Sequence, residues 1–108
     1  MHLARSVYVS TEEFPKSEMF GLRMQLRRSA VSVASNIAEG HGRLTDAQLR
    51  NSLGIARGSL YELETQLELA RDMGFIQREI EQKLLDEGIE VAKLINGLLG
   101  VLEPQTRA

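Results

Sequence analysis

The chain has 108 residues with 43% hydrophobic content and no Cys, which allows one domain with a buried core and excludes disulfides, thiolate metal sites and cysteine nucleophiles. Its formal net charge of −2 argues against a general nucleic-acid binder, since such proteins usually carry a strong positive excess. No apolar run reaches the ~18 residues that cross a bilayer, and the N-terminus lacks the order of a signal peptide, so we expect a soluble, cytoplasmic protein with no membrane partner.

Two helices separated by a turn are predicted in the first part of the chain. Residues 2–12 form a short, weakly amphipathic helix whose inward residues are Leu3 and Val7. Ser17 is expected to cap a second helix over residues 18–39, because its hydroxyl can accept hydrogen bonds from the free N–H groups of the first turn. Apolar residues on two sides of the second helix predict that it touches two neighbours.

A third helix is predicted to start after a glycine-rich connection. Gly40 and Gly42 supply the backbone freedom needed to end the second helix. Thr45 and Gln48, three residues apart, resemble a capping box, in which each side chain bonds a free backbone N–H of the first turn. We therefore expect the third helix over residues 46–73.

The third and fourth helices carry a regular bundle pattern. Apolar residues of the third helix recur in steps of four and three: Leu49, Leu53, Ala56, Leu60, Leu63, Leu67 and Ala70. A fourth helix over residues 77–102 follows Gly74, and its predicted inward residues are Ile80, Leu84, Val91, Leu98 and Leu102. The pattern predicts an all-α fold over residues 1–108: an antiparallel up-down-up-down four-helix bundle with a short first helix.

The charges are divided unevenly between the two halves of the chain. Residues 1–58 carry eight Lys and Arg against five acids, whereas residues 59–108 carry five against ten, so the halves are +3 and −5. Such polarity favours head-to-tail self-association or an anion site on one face. Arginine suits phosphate because its planar fork binds two oxygens at once. The candidate nucleic-acid contacts are Arg27, Arg28, Arg43, Arg50 and Arg57.

Structural explanations compete with phosphate binding at these positions. The small residues between Arg28 and Arg43 are also typical of a tight helix crossing, within the bundle or between subunits. The arginines could instead pair with acids, for example Arg57 with Glu39 or Glu64. The sequence leaves both alternatives open.

Polar residues and glycines on the second and third helices suggest a second feature. Gly54 and Gly58 interrupt a strongly helix-forming segment and predict close approach by another helix, a ligand or an RNA backbone. Arg57 lies beside them and could join a polar cluster. We expect a structural network or subunit contact made by the remaining members of this cluster, Asn36, Glu39, Ser59 and Glu62.

No pattern in the sequence predicts catalysis. His2 and His41 are not paired at metal-ligand spacing, and the carboxylates of the last two helices lack the Glu-x-x-His pattern of di-metal bundles. No nucleophile is accompanied by a base. We expect a protein that is not an enzyme and has no metal, cofactor or small-molecule substrate.

Several segments together resemble one known family. They are Phe14-Pro15, Phe20-Gly21-Leu22, Gln25 to Ser32, Ser35 to Gly40 with Gly42-Arg43, and Ala56 to Leu67. Over about residues 7 to 102 the chain is similar to the four-helix-bundle proteins encoded within intervening sequences of 23S ribosomal RNA genes. That family in turn resembles accessory proteins of diversity-generating retroelements.

The resemblance implies a ring-like homo-oligomer, a pentamer, that associates with ribosomal RNA or DNA through a basic surface. By position it places Arg27, Arg28, Arg43 and Arg57 among the contacts, and it carries over no catalytic residue. The family's first helix is usually longer, so we expect either an earlier start or a neighbouring subunit over the gap. Ala34 stands where proline is common, which predicts a straighter second helix. A purely structural or protein-binding oligomer is the alternative function.

Overall fold

Four α-helices and one 3₁₀ turn make up the computed structural model, which describes residues 2–18 and 20–102. No strand occurs among these residues, so the predicted all-α class is confirmed. The elements are α1 His2–Ser10, the 3₁₀ turn Lys16–Glu18, α2 Leu22–His41, α3 Asp46–Asp72 and α4 Arg78–Leu102. α2 runs without interruption through Ala34.

The helices pack as a bundle in which α3 lies between α2 and α4, and α1 contacts both α2 and α4. α2 and α3 are antiparallel, because Ser32 lies 2.7 Å from Ser59 while Gly40, later in the chain, lies against the earlier residue Leu49. The packing therefore supports the predicted bundle. The up-down-up-down order of all four helices stays a prediction.

Polar contacts show that α3 and α4 are also antiparallel. Arg71 Nε lies 2.6 Å from Glu81 Oε1 next to the α3–α4 connection, and these two side chains are only 29% and 12% exposed. Further along, Arg57 Nη1 donates to Asn96 Oδ1 at 3.2 Å. A shielded ion pair at the turn and an exposed hydrogen bond further along both follow this antiparallel register.

Helical spacing predicted the core residues of α3 well and those of α4 only in part. Those of α3 are fully buried apart from Leu49, which is half-buried. In α4, Leu84 is buried, and Val91, Leu98 and Leu102 are half-buried against the core. Ile80 is exposed, so the prediction for that residue was wrong. The buried apolar cluster consists of Leu3, Val7, Phe14, Leu26, Ala30, Val33, Ile37, Leu53, Ala56, Leu60, Leu63, Leu67, Ala70, Ile76, Leu84, Ile95 and Leu99.

The ends of α3 have the capping that the sequence predicted. Gln48 N donates to Thr45 Oγ1 at 3.2 Å, and Gln48 Oε1 accepts from Leu44 N at 3.2 Å, so the reciprocal bond falls one residue earlier than in a standard capping box. At the other end Gly74 has φ +79, and Phe75 N bonds Ala70 O at 2.9 Å. The helix ends here, because Gly74 adopts the left-handed conformation and the next N–H bonds the carbonyl five residues earlier.

The start of α2 differs from the prediction. Ser17 lies within the 3₁₀ turn and does not cap a helix; α2 begins four residues later than expected, at Leu22. Its N-cap residue, Gly21, has no capping side chain, and Glu18 Oε1 instead accepts from Leu22 N at 3.1 Å. The Glu18 carboxylate, one turn upstream, thus accepts a hydrogen bond from a free N–H of the first turn. Its negative charge also suits the positive end of the helix dipole.

Gly40 lies inside α2, where it packs against α3. The prediction that this glycine ends the helix was wrong. The helix continues to His41, and Gly42 has φ −92, which any residue can adopt. At Gly40 a Cβ would lie 2.8 Å from Leu49 Cδ1. The absence of a side chain therefore lets the end of α2 approach α3 closely.

Candidate nucleic-acid interface

One side of α2 is buried and the other lines an open groove. Leu26, Ala30, Val33 and Ile37 face the core, spaced three or four residues apart. On the other side five residues of α2 and Tyr8 of α1 enclose about 560 Å³. We call this the basic groove; its residues are Tyr8, Arg23, Met24, Arg27, Arg28 and Val31.

Arg27 connects the two walls of the basic groove. Its Nε donates to Thr11 Oγ1 at 2.8 Å, and its Nη2 donates to Tyr8 O at 3.0 Å. The guanidinium carbon lies 4.4 Å from the centre of the Tyr8 ring, which is a cation–π contact. Thr11 is 1% exposed and also donates to Val7 O at 2.8 Å. Arg27 is therefore committed to holding α1 on α2.

Arg23 and Arg28 are placed differently from Arg27. Neither forms an ion pair with a carboxylate of the described residues. Arg28 is exposed, and its Nη2 makes only a long contact of 3.7 Å with Met24 Sδ. Arg23 is half-buried and lines the groove, although its Nε atom is itself buried and has no hydrogen-bond partner in the part of the chain described. Both side chains line the groove, and neither guanidinium group is neutralised by a carboxylate of the described residues.

The basic groove combines positive charge with apolar surface. No Asp or Glu is among its lining residues, while three arginines are. Tyr8, Met24 and Val31 are 42%, 37% and 41% exposed. A ligand that fits this lining has both negative charge and a flat or apolar part.

The three remaining predicted contacts lie elsewhere and bind protein groups. Arg43 bonds Glu39 Oε2 at 3.0 Å and Ser52 Oγ at 3.3 Å. Arg50 Nη2 donates to the backbone oxygen of Leu102 at 3.4 Å. Arg57 donates to Asn96 of α4 in an exposed contact and forms no ion pair with Glu39 or Glu64. About 20 Å of helix separate Arg28 from His41, the last residue of α2, because each residue rises about 1.5 Å, and Arg43 lies beyond that end.

Two residues of the predicted polar cluster, Asn36 and Ser59, both contact Ser32, which was not predicted to belong to it. Ser32 Oγ lies 2.7 Å from Ser59 Oγ, and Asn36 Nδ2 donates to Ser32 O at 2.9 Å. Glu39 instead pairs with Arg43, and Glu62 is exposed on α3. Asn36 and Ser59 thus belong to a small α2–α3 contact centred on Ser32.

The outer face of α3 is open. A Cβ at Gly54 or Gly58 would meet nothing within 4 Å, so no element of the described chain makes the predicted close approach. Ile55, Tyr61 and Leu69 lie on the same helix and are 47%, 54% and 48% exposed. α3 therefore exposes large apolar side chains and has two glycines near its middle.

Other sites in the described part of the chain show fewer features of a binding site for an anion. A cleft of about 890 Å³ between α1 and α4 is lined by both acids and bases, among them Glu79, Lys83 and Glu87. No group of three His, Asp or Glu side chains suited to a metal ion occurs within residues 2–18 and 20–102. None of the helices described is long and apolar enough to span a membrane.

Sequence reasoning missed two residues of the basic groove. Arg23 lies four residues before Arg27 on the same side of a helix, and this spacing was a usable signal. The position of Tyr8 depends on how α1 docks, which helical periodicity does not give.

These features define a small all-α bundle protein with an arginine-lined groove between its first two helices. Residues 1–97 match the family described as 23S rRNA-intervening sequence protein. The chain belongs to this family, as its sequence motifs predicted.

A solved structure shares the fold. It is described as a protein of unknown function from the S23 ribosomal protein family of Bacteroides thetaiotaomicron. The two chains superpose with a TM-score of 0.81 at 26% identity, over 91% of this chain and 92% of that chain. No curated protein matches the chain.

Proposed function

We propose that the protein is a cytoplasmic, non-enzymatic homo-oligomer that binds nucleic acid through the basic groove. The observation that carries this proposal is the placement of three arginines around one groove without a lining carboxylate. Phosphates bind such a surface because guanidinium groups donate two parallel hydrogen bonds to their oxygens. The family description refers to 23S rRNA, so ribosomal RNA is the first ligand to test.

Net charge does not argue against this proposal. The overall charge is −2, but a local positive patch attracts phosphates within about one Debye length, ~10 Å at moderate salt. The acids are concentrated in residues 59–108, which carry −5. The basic groove is formed by residues 8–31 and thus belongs to the +3 half.

The exposed apolar surface supports self-assembly. Large apolar side chains are exposed on the outer faces of both α3 and α4; those of α4 include Ile89, Leu94 and Val101 at 47%, 49% and 74%. Large exposed apolar patches mark protein interfaces, and we propose that these side chains form one in the assembled protein. With charge halves of opposite sign, these faces support a head-to-tail ring of identical subunits, for which we propose five copies.

The test is a binding titration with a salt series. We expect the purified protein to form an oligomer by light scattering and to bind labelled 23S rRNA fragments with an affinity that falls steeply as salt rises. Arg23→Ala with Arg28→Ala should weaken binding and lower the slope of log K against log salt by about 1.4, since each single-strand phosphate contact contributes roughly 0.7. The oligomer mass should not change.

A matched control separates the groove from total charge. Arg78→Ala with Lys93→Ala removes the same charge from α4, where both residues are exposed. We expect this variant to keep most of the binding. An oligomer that binds neither RNA nor DNA at low salt contradicts the nucleic-acid proposal and favours the structural or protein-binding alternative.

A further inference from the structure

We propose that the basic groove accepts a single-stranded segment, with a phosphate held by Arg23 and Arg28 and an unpaired base stacked on Tyr8. This inference rests on the proposed function and names the form of nucleic acid that the groove selects.

The apolar lining is the first argument for a single strand. Tyr8, Met24 and Val31 are exposed beside the guanidinium groups. In a duplex the bases stack on one another and phosphates form the outer surface, so an apolar cleft gains no contact from them. A single strand presents its base faces, which stack on aromatic side chains while the backbone follows the positive charges.

The fixed position of Tyr8 is the second argument. The Arg27 guanidinium lies 4.4 Å from the ring centre and is itself held by Thr11 Oγ1 and Tyr8 O. The ring is therefore ordered before a ligand arrives, and little side-chain freedom is lost on binding. Because Arg27 covers one face of the ring, the base in this proposal stacks on the opposite face. Arg27 is a positioning residue in this arrangement, and Arg23 and Arg28 make the phosphate contacts.

The size of the groove fits a single nucleotide. Its volume is about 560 Å³, within the range of about 300–1,000 Å³ that small-ligand sites occupy. Positive charge lies on α2 and the aromatic ring on α1, so one nucleotide can place its phosphate and its base on opposite walls. The groove requires no base-specific hydrogen bond for this mode, and we expect little sequence preference.

Tyrosine emission provides a direct test of stacking. The chain has two tyrosines and no Trp, so Tyr61→Phe leaves Tyr8 as the only emitter. We expect oligo(U) of about twelve nucleotides, within the usual site sizes, to quench Tyr8 emission after correction for absorbance. In the matched variant Tyr8→Phe, Tyr61 is the only emitter and its emission should stay unchanged.

Affinity measurements separate stacking from charge. With the same oligonucleotide carrying fluorescein, Tyr8→Leu should bind roughly 5- to 100-fold more weakly, as expected from loss of one base–aromatic stack, whereas Tyr8→Phe should bind like the unmodified protein. A hairpin duplex of A·U pairs with the same number of phosphates should bind at least about tenfold more weakly than the single strand. Circular dichroism checks that each variant is folded.

The outcomes distinguish this inference from the proposed function. Equal binding of duplex and single strand, without quenching of Tyr8, overturns the single-strand inference and leaves a basic surface that binds phosphates. Absence of binding to both at low salt overturns both proposals. If Tyr8→Leu does not fold, the quenching experiment still decides, because the groove of Tyr61→Phe is unmodified.

Discussion

The two ends of α2 carry similar arginines that have different surroundings. Near its start, Arg23 and Arg28 face an open groove with no lining carboxylate. Near its end, Arg43 pairs with Glu39 and bonds Ser52 of the adjacent helix. The difference arises because Gly40 brings α2 close to α3 at that end, whereas the start of α2 faces the short helix α1. Helix packing decides which of these arginines can contact a ligand. The number of arginines in the sequence does not show this.

The largest expected difference between the two ends is in nucleic-acid affinity. Arg23→Ala with Arg28→Ala should reduce affinity for a 23S rRNA fragment roughly a hundredfold at low salt, because two charge-assisted contacts are lost. Arg43→Ala with Arg57→Ala removes the same charge and should change affinity less than about threefold. Filter binding or anisotropy measures both. Equal losses in the two double variants would show that the groove is not the site.

Arg27 should affect stability more than its neighbour Arg28. Arg27→Ala removes the donor to Thr11 Oγ1 and Tyr8 O, together with the cation–π contact, which should cost about 2 kcal/mol. Arg28→Ala at an exposed position should cost less than about 0.5 kcal/mol. Urea unfolding followed by circular dichroism gives both values. Similar costs would mean that Arg27 does not hold α1.

The close approach at the other end of α2 can be tested with a pair of glycines. Gly40→Val places a branched side chain against Leu49 and should cost about 1–3 kcal/mol from overpacking. Gly58→Val has open space around it and a similar change in helix propensity, so its effect should stay within about 0.5 kcal/mol. Unfolding of each variant at a concentration where the oligomer stays intact makes this comparison. A large effect at Gly58 would instead point to a subunit contact on the outer face of α3.

The smallest expected effect is at Arg43. The pair with Glu39 joins side chains that are 40% and 58% exposed, and solvent weakens such a pair. Arg43→Ala should therefore change stability by less than about 0.5 kcal/mol. A double-mutant cycle with Glu39→Ala measures the coupling, which should decrease as salt is added.

Most of the fold follows from the sequence, because burial dominates helix packing. The regular spacing of Leu53, Leu60 and Leu67 predicted the buried side of α3, and Thr45 predicted its start. The predicted start of α2 was wrong. Both Ser17 and Glu18 can accept hydrogen bonds from free N–H groups at a helix start, and the local sequence does not show which of the two does so. Ile80 was also misassigned. It follows the apolar spacing of α4, but it lies in the first turn of that helix and is exposed, and helical spacing alone does not show which turns are covered by other helices.

The candidate site was less predictable than the fold. The sequence identified Arg27 and Arg28 but not Arg23, and it grouped Arg43 and Arg57 with them. Which carboxylate, hydroxyl or amide a long side chain reaches depends on helix crossings, and Arg57 meets Asn96 from a segment 39 residues away. Such long-range pairings lie outside what helical spacing encodes.

The shortness of α1 links ligand binding to local unfolding. α1 has nine residues, too few for a stable isolated helix, so its order depends on Leu3 and Val7 in the core and on the Arg27 contacts. We expect its amide hydrogens to exchange faster than those of α3, through openings that leave the rest of the bundle folded. Tyr8 forms one wall of the basic groove, so the binding-competent population equals the fraction of molecules with α1 docked. A bound strand should slow exchange in α1 selectively, which makes the first helix a reporter of occupancy.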